Sequence, residues 1–156
     1  MDSDGHLKIL VVDDHVGIRI GIASLIDAER PRMACAGTAA TVREALARTC
    51  ELQPDVVVLD VNLGGEDGLA LIAQLRRDAP CEVVVLTSLL DPRVAQMARR
   101  WGAHGCVHKT APAAELLACI AAAGDARTVR PLPAPANAGS AMSCAQRSKH
   151  PYGTRN

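Results

Sequence analysis

Along the chain, short apolar runs alternate with stretches in which apolar residues recur every three or four positions. Five runs stand out: LKILVV from Leu7, RMACA from Arg32, DVVVL from Asp55, EVVVL from Glu82 and GCVH from Gly105. Consecutive apolar positions in runs this short predict strands buried on both faces. A helical pattern follows each run. Val16, Ile20, Ile22, Leu25 and Ile26 mark one face of a first helix, and Pro31 ends it. The second is expected from Thr41 to Cys50, because Thr41 and Glu44 form a capping box and Pro54 blocks continuation. Leu69, Ile72, Ala73 and Arg76 carry the third toward Pro80, and the fourth opens with Asp91 as cap and Pro92 as first residue and stops at Gly102. The fifth spans Pro112 to Ala123, with Gly124 behind it. Doubly buried strands alternating with helices predict an α/β fold: a (βα)5 unit whose parallel sheet is covered on both sides, a three-layer sandwich with right-handed crossovers.

From Asp125 the periodicity vanishes, and RPLPAPANAGSAMS has too little apolar bulk to offset the entropy of ordering it. The expected organisation is one domain over residues 1–124 and a flexible Pro/Ala-rich tail over 125–156. Charge supports the division. The body carries 12 Lys+Arg against 16 Asp+Glu, and the tail 5 against 1. An acidic body argues against direct DNA binding by this chain, which would need a cationic face to displace counterions from phosphates. With no Phe, one Trp and one Tyr the core must be aliphatic, and stacking platforms for single-stranded nucleic acid are missing. No apolar run approaches the roughly 18 residues needed to cross a bilayer. The polar start MDSDGHLK does not read as a secretory signal, and the six scattered cysteines lack both a C-x-x-C pair and the spacing of a zinc site. They are expected to be reduced, in a cytoplasmic protein with no membrane association.

Open α/β sheets bind ligands beyond the carboxyl ends of their strands. At those ends this chain places Asp13 and Asp14, then Asp60, then Thr87 and Ser88, then His108 and Lys109. Taken singly, each has a structural use as a cap, a turn former or a solvated charge. Together they conflict with stability, because neighbouring carboxylates repel by several kcal/mol at low effective dielectric. A divalent cation resolves the repulsion. Mg²⁺ takes oxygen ligands and is usually held by one or two carboxylates plus a phosphate oxygen, so the acidic group also predicts a phosphoryl ligand. Lys109 and Thr87 would then meet its oxygens.

Through ILVVDDH, VVVLDVNLGGEDGL, VVVLTS and GAHGCVHKT, residues 7–124 resemble the receiver domain of bacterial two-component response regulators. The style is that of receivers preceding a LuxR-type helix-turn-helix. The resemblance implies a flavodoxin-like fold with sheet order 2-1-3-4-5, an order that the general rule for such sheets already illustrates with a receiver. It further implies Asp60 as phosphoacceptor, and Asp13, Asp14, Asp60 and the Asn62 carbonyl around Mg²⁺. Thr87 and Ser88 would be the switch hydroxyls, Lys109 the phosphate-pairing lysine, and a histidine kinase the phosphoryl donor. Output would pass to a downstream protein or a homodimer through the fourth helix and fifth strand. That makes Val94, Met97, Ala98, Trp101, Cys106 and Val107 candidates for an exposed face, although helical spacing equally allows their burial against the sheet. Only 32 residues follow Gly124, without helical period, so no output domain of roughly sixty residues is expected.

The chain departs from the family pattern at Cys106, where relatives usually carry Tyr or Phe, and at Thr110, where many carry Pro. Leu89, two residues beyond Thr87, is apolar and should hinder water that attacks a phosphoryl group. The expected function is that of a single-domain response regulator, not an enzyme beyond self-catalysed phosphotransfer and autodephosphorylation. Other readings remain open on the residues: a receiver-like module that is never phosphorylated, a truncated transcription regulator, or an Mg²⁺-dependent aspartyl phosphohydrolase. The last usually needs an acid two residues after the nucleophile, and Asn62 can act as neither acid nor base.

Overall fold

The computed structural model describes residues 5–129. The element order is β1 (Leu7–Val12), α1 (Val16–Asp27), β2 (Met33–Ala39), α2 (Val42–Leu52), β3 (Val56–Asp60), β4 (Asn62–Leu63), β5 (Glu66–Asp67), α3 (Gly68–Asp78), β6 (Glu82–Thr87), α4 (Pro92–Trp101), β7 (Gly105–His108) and α5 (Ala113–Val129). Five strands form a wholly parallel sheet in the order β2-β1-β3-β6-β7, and β4 and β5 pair separately as an antiparallel hairpin. The expected order 2-1-3-4-5 counted five strands. It differs from the observed numbering only because the hairpin enters the chain between the third and fourth strands of the main sheet. The hairpin arises from Gly64 and Gly65, whose φ values of 60° and 94° are what a two-residue turn with positive φ at both positions requires.

Strand residues alternate between two cores. Leu10, Val12, Val57, Leu59, Val83 and Val85 meet Ala45 of α2, Leu71, Ile72 and Leu75 of α3, and Ala98 of α4. On the other face Ile9, Val11, Val56, Val58, Val84, Leu86 and Val107 meet Ile22 and Ile26 of α1 and Leu116, Ile120 and Ala123 of α5. These are the three expected layers. Fully burying each Leu, Ile or Val contributes about 1.5–3 kcal/mol, so the sheet's edges are held rigidly by an aliphatic core without Phe.

The helix signals worked locally. Thr41 caps α2 by accepting from the Glu44 amide, and the Glu44 carboxylate accepts from the amide of Ala40, closing the capping box one residue earlier than its usual partner. Asp91 caps α4, and Gly102 ends it at φ 112°. Two expectations need correction. Helix α5 does not stop at Ala123 but runs to Val129. Gly124 is no C-cap: a Cβ there would stand 2.5 Å from Leu7 Cδ1, so the glycine permits close approach of α5 to β1. The last turns are anchored at the sheet's amino edge, where Arg127 pairs with buried Asp55 at 2.7 Å and donates to the Pro80 carbonyl at 2.6 Å. The remainder of the expected tail, residues 130–156, lies outside the described residues. Cys35, Cys81, Cys106 and Cys119 are free thiols. No helix among the described residues is long and apolar enough to cross a membrane.

Gly68 opens α3 where the chain leaves the hairpin and donates to the Val61 carbonyl at 3.1 Å. A Cβ at this position would lie 2.5 Å from Val61 Cα and 2.6 Å from its carbonyl oxygen, both backbone atoms that cannot swing aside. Gly68→Ala is therefore expected to cost about 1–3 kcal/mol, read as a lower urea midpoint with an unchanged m-value.

Candidate functional site

The side chains singled out at the strand ends converge at the carboxyl edge of the sheet. Parallel register explains why. β1 and β3 pair up to Val12 with Leu59, so Asp13 and Asp60 follow on adjacent strands, and β3 pairs with β6 from Val56–Glu82 up to Asp60–Leu86. Thr87 pairs with His108 at the end of β6 and β7. Lys109 comes next, its amide donating to the Thr87 carbonyl at 2.8 Å.

Asp13 is 1% exposed and Asp60 3% exposed, so two carboxylates stand side by side out of water. Two like charges at about 4 Å repel by about 4 kcal/mol at an effective dielectric of 20. The Lys109 ammonium lies between them, 3.0 Å from Asp13 Oδ2 and 2.9 Å from Asp60 Oδ2. Burial alone would lower the Lys109 pKa, but the bonds and charges of Asp60 and Asp13 outweigh it, and the net displacement is upward. Both contacts are close ion pairs, so each carboxylate has the ammonium as a partner.

The other oxygens are positioned by the backbone. Asp60 Oδ1 accepts from the Asn62 amide at 3.0 Å, and Asp13 Oδ1 from the His15 amide at 2.8 Å. Arg19 of α1 donates to the Asp13 carbonyl at 2.8 Å, tying the helix to this corner. Asp14 is exposed beside it, and His15 Nδ1 stands 3.1 Å from Asp13 Oδ1 and 3.0 Å from Asp14 Oδ1. Donor atoms of Asp13, Asp14, His15 and Asp60 all lie within 4.8 Å of one another. Three carboxylates and an imidazole so close form a donor set suited to a divalent cation. Asn62 begins the hairpin with its side chain exposed.

Thr87 is buried, and its Oγ1 accepts from the Leu89 amide at 3.0 Å, which leaves its proton free to donate elsewhere. Ser88 is exposed, and its carbonyl is held by His108 Nε2 at 3.1 Å. The Thr110 amide donates to His108 Nδ1 at 3.1 Å, which places the imidazole proton on Nε2 and so makes it the donor to Ser88. The structure thus links Lys109's neighbour to the loop after Thr87. His15 and Arg19 were absent from the residues that sequence reasoning selected, and His108 was placed at a strand end without a role. His15 could have been found from its place directly after the acidic pair; the other two depend on contacts that spacing does not reveal.

The candidate output face divides. Met97 and Trp101 are exposed at 45% and 44%, and Val94 and Cys106 are partly buried. Ala98 and Val107 are not on a surface: at 0% and 4% exposure they fill the two cores, because α4 turns Ala98 toward the sheet and β7 turns Val107 toward α5. Leu89 and Leu90, in the loop before α4, extend the apolar exposure at 52% and 84%. Burial raises the Cys106 thiol pKa, with Arg99 nearby opposing it, so this side chain is an apolar filler smaller than any ring.

Comparison with known proteins agrees with this geometry. Residues 9–121 match the family model for the response regulator receiver domain. Response regulator protein VraR of Staphylococcus aureus is 32% identical over 111 residues, 70% of this chain and 53% of that protein, so the chain spans about half the length of the curated relatives it matches. Among solved structures, the response regulator domain of Thermotoga maritima CheB superposes with TM-score 0.71 at 28% identity, covering 81% of this chain and 99% of that one. A LuxR-family two-component response regulator from Aurantimonas also superposes with TM-score 0.71, at 30% identity over 92% of this chain and 98% of that one. With the matched region taking in both buried aspartates and the lysine between them, the chain belongs to the response regulator receiver domain family.

Proposed function

We propose that this receiver accepts a phosphoryl group on Asp60 from the phosphohistidine of a histidine kinase and signals through altered protein contacts in the cytoplasm. The observation that carries the proposal is the Lys109 ammonium held at 3.0 and 2.9 Å between Asp13 and Asp60. A stability-driven design has no use for two buried carboxylates sharing one cation, whereas a phosphoryl-transfer site needs both a nucleophilic carboxylate and fixed positive charge.

In the proposed step an Asp60 oxygen attacks phosphorus in line, the bond from phosphorus to the donor nitrogen breaks, and that nitrogen keeps the electron pair and takes up a proton. Asp13, Asp14, Asp60 and the Asn62 carbonyl would hold Mg²⁺, which supplies charge neutralisation for the phosphoryl oxygens. Lys109 exchanges its contact with Asp60 for one with a phosphoryl oxygen. Thr87 turns its free proton toward another, and because its oxygen also holds the Leu89 amide, that rotation draws on the loop carrying Leu89 and Leu90. His108, clamped to Ser88, would move with the same loop. Cys106 has no ring to swing into the space Thr87 leaves. It favours a second reading, a receiver that binds partners without a phosphorylation-driven change.

Incubation with a small phosphoryl donor and Mg²⁺ should add one phosphoryl mass to the parent protein in intact-mass spectra, and none to Asp60→Asn or to chelator-treated protein. No adduct on the parent would favour the second reading, and sustained release of inorganic phosphate would favour a hydrolase. Lys109→Met leaves the carboxylates unpaired and should lower stability in metal-free buffer by about 3–5 kcal/mol, with added Mg²⁺ restoring part of it, as urea denaturation would show. Because the folded pKa of Lys109 is raised, its stabilisation is fully present below its ordinary value of about 10.4 and is lost only as pH rises through the higher folded value. Parent and Lys109→Met should therefore differ equally at pH 7 and pH 9 and converge in strong alkali.

A further inference from the structure

The peptide unit between Ser88 and Leu89 is held by a side chain at each end. We propose that His108 is a positioning residue that serves as its pivot: when Thr87 turns to a phosphoryl group, this peptide swings about its carbonyl bond to His108 and carries Leu89 and Leu90 with it. The proposal rests on the reading of Asp60 as phosphoacceptor. It deepens that reading by naming how the site is read out where Cys106 supplies no ring.

The planarity of the peptide group carries the argument. Its atoms form one rigid trans plate, so the Ser88 carbonyl and the Leu89 N–H point out of opposite edges and move together. The Leu89 amide donates to Thr87 Oγ1 at 3.0 Å, and the Ser88 carbonyl accepts from His108 Nε2 at 3.1 Å. Thr87 is buried at the end of β6, and His108 is half-buried at the end of β7, paired with Thr87 in register. One grip thus belongs to the residue that would meet the phosphoryl group, and the other to the neighbouring strand. Losing the first grip leaves a hinge and not a free loop.

The ring is itself braced. The Thr110 amide donates to His108 Nδ1 at 3.1 Å, and the Thr110 hydroxyl lies 2.6 Å from the same nitrogen. A backbone N–H can only donate, so Nδ1 presents its lone pair and the ring proton sits on Nε2, toward Ser88. The two strand ends are locked together as well, because the Lys109 amide donates to the Thr87 carbonyl at 2.8 Å. The carbonyl end of the plate is therefore fixed to the backbone that carries both Thr87 and Lys109, and the amide end is the one free to move. Beyond that end stand the exposed side chains of Leu89 and Leu90.

Two substitutions separate the two bonds of the ring. In His108→Gln a side-chain N–H still reaches the Ser88 carbonyl, while the acceptor for Thr110 is lost. In His108→Asn an oxygen still accepts from the Thr110 amide, but no donor reaches Ser88. Amide resonances and amide exchange at Leu89 and Leu90 are followed by NMR before and after incubation of the whole chain with acetyl phosphate and Mg²⁺, and intact mass reports the adduct. Parent and His108→Gln should show both resonances displaced by phosphorylation, with Leu89 exchanging faster as it leaves Thr87. His108→Asn should form the adduct to the same extent and keep the parent's circular dichroism. Its Leu89 amide should exchange about tenfold faster than the parent's even without the donor, and more than half of the phosphorylation-dependent displacement should be lost. An adduct on His108→Asn with the parent's full response at Leu89 and Leu90, or equal impairment in both variants, overturns the pivot and leaves Asp60 as phosphoacceptor. An unchanged mass for the parent overturns the phosphoacceptor reading itself, and the pivot with it.

Discussion

The structure is organised around electrostatic repulsion that the fold creates and does not remove. Parallel pairing brings the ends of β1 and β3 side by side, and each ends in an aspartate with almost no access to water. The Lys109 ammonium lies between them, in contact with both. The aliphatic core on both sheet faces keeps these groups from relaxing apart, since moving either strand end would disturb residues that are wholly buried. The stored repulsion is what a cation and a phosphoryl group would relieve, so binding and stability are linked through the same few atoms.

The same edge shows how such a site would report its state. Thr87 and Lys109 share a backbone hydrogen bond, Thr87 Oγ1 holds the next loop by the Leu89 amide, and His108 holds that loop by the Ser88 carbonyl. The loop carries the exposed Leu89 and Leu90 and leads into α4, where Met97 and Trp101 are also exposed. A small rearrangement at the carboxylates is thus connected by short bonds to an apolar surface. With Cys106 half-buried at the position where a ring is usual, the volume that would couple these parts in relatives is small here, and the bonds through Thr87 and His108 carry more of the connection.

Much of this was legible in the chain because the signals were local. Runs such as VVVLD could only be doubly buried strands, and Thr41, Asp91 with Pro92, and Gly102 act within a turn of where they stand. The strand-end carboxylates were legible because the topology forces strand ends together. What escaped depends on contacts between distant segments. Gly124 looked like a helix stop, but the packing of Leu7 on α5 needs a glycine inside the helix. Ala98 and Val107 have the spacing of a surface stripe, and only the placement of α4 and β7 against the sheet buries them. The contact of His108 with the Ser88 carbonyl likewise has no trace in residue spacing.

The central claim is that the buried acidic group exists for a ligand and at a cost to the unliganded fold. The most direct test is the urea stability of Asp13→Asn against the parent in metal-free buffer, with Mg²⁺ titrated into both. The account predicts that removing this charge leaves the unliganded protein at least as stable as the parent while abolishing its stabilisation by Mg²⁺. A variant several kcal/mol less stable than the parent, or one still stabilised by Mg²⁺ to the same extent, would show that Asp13 holds the fold together and is not there to hold a cation.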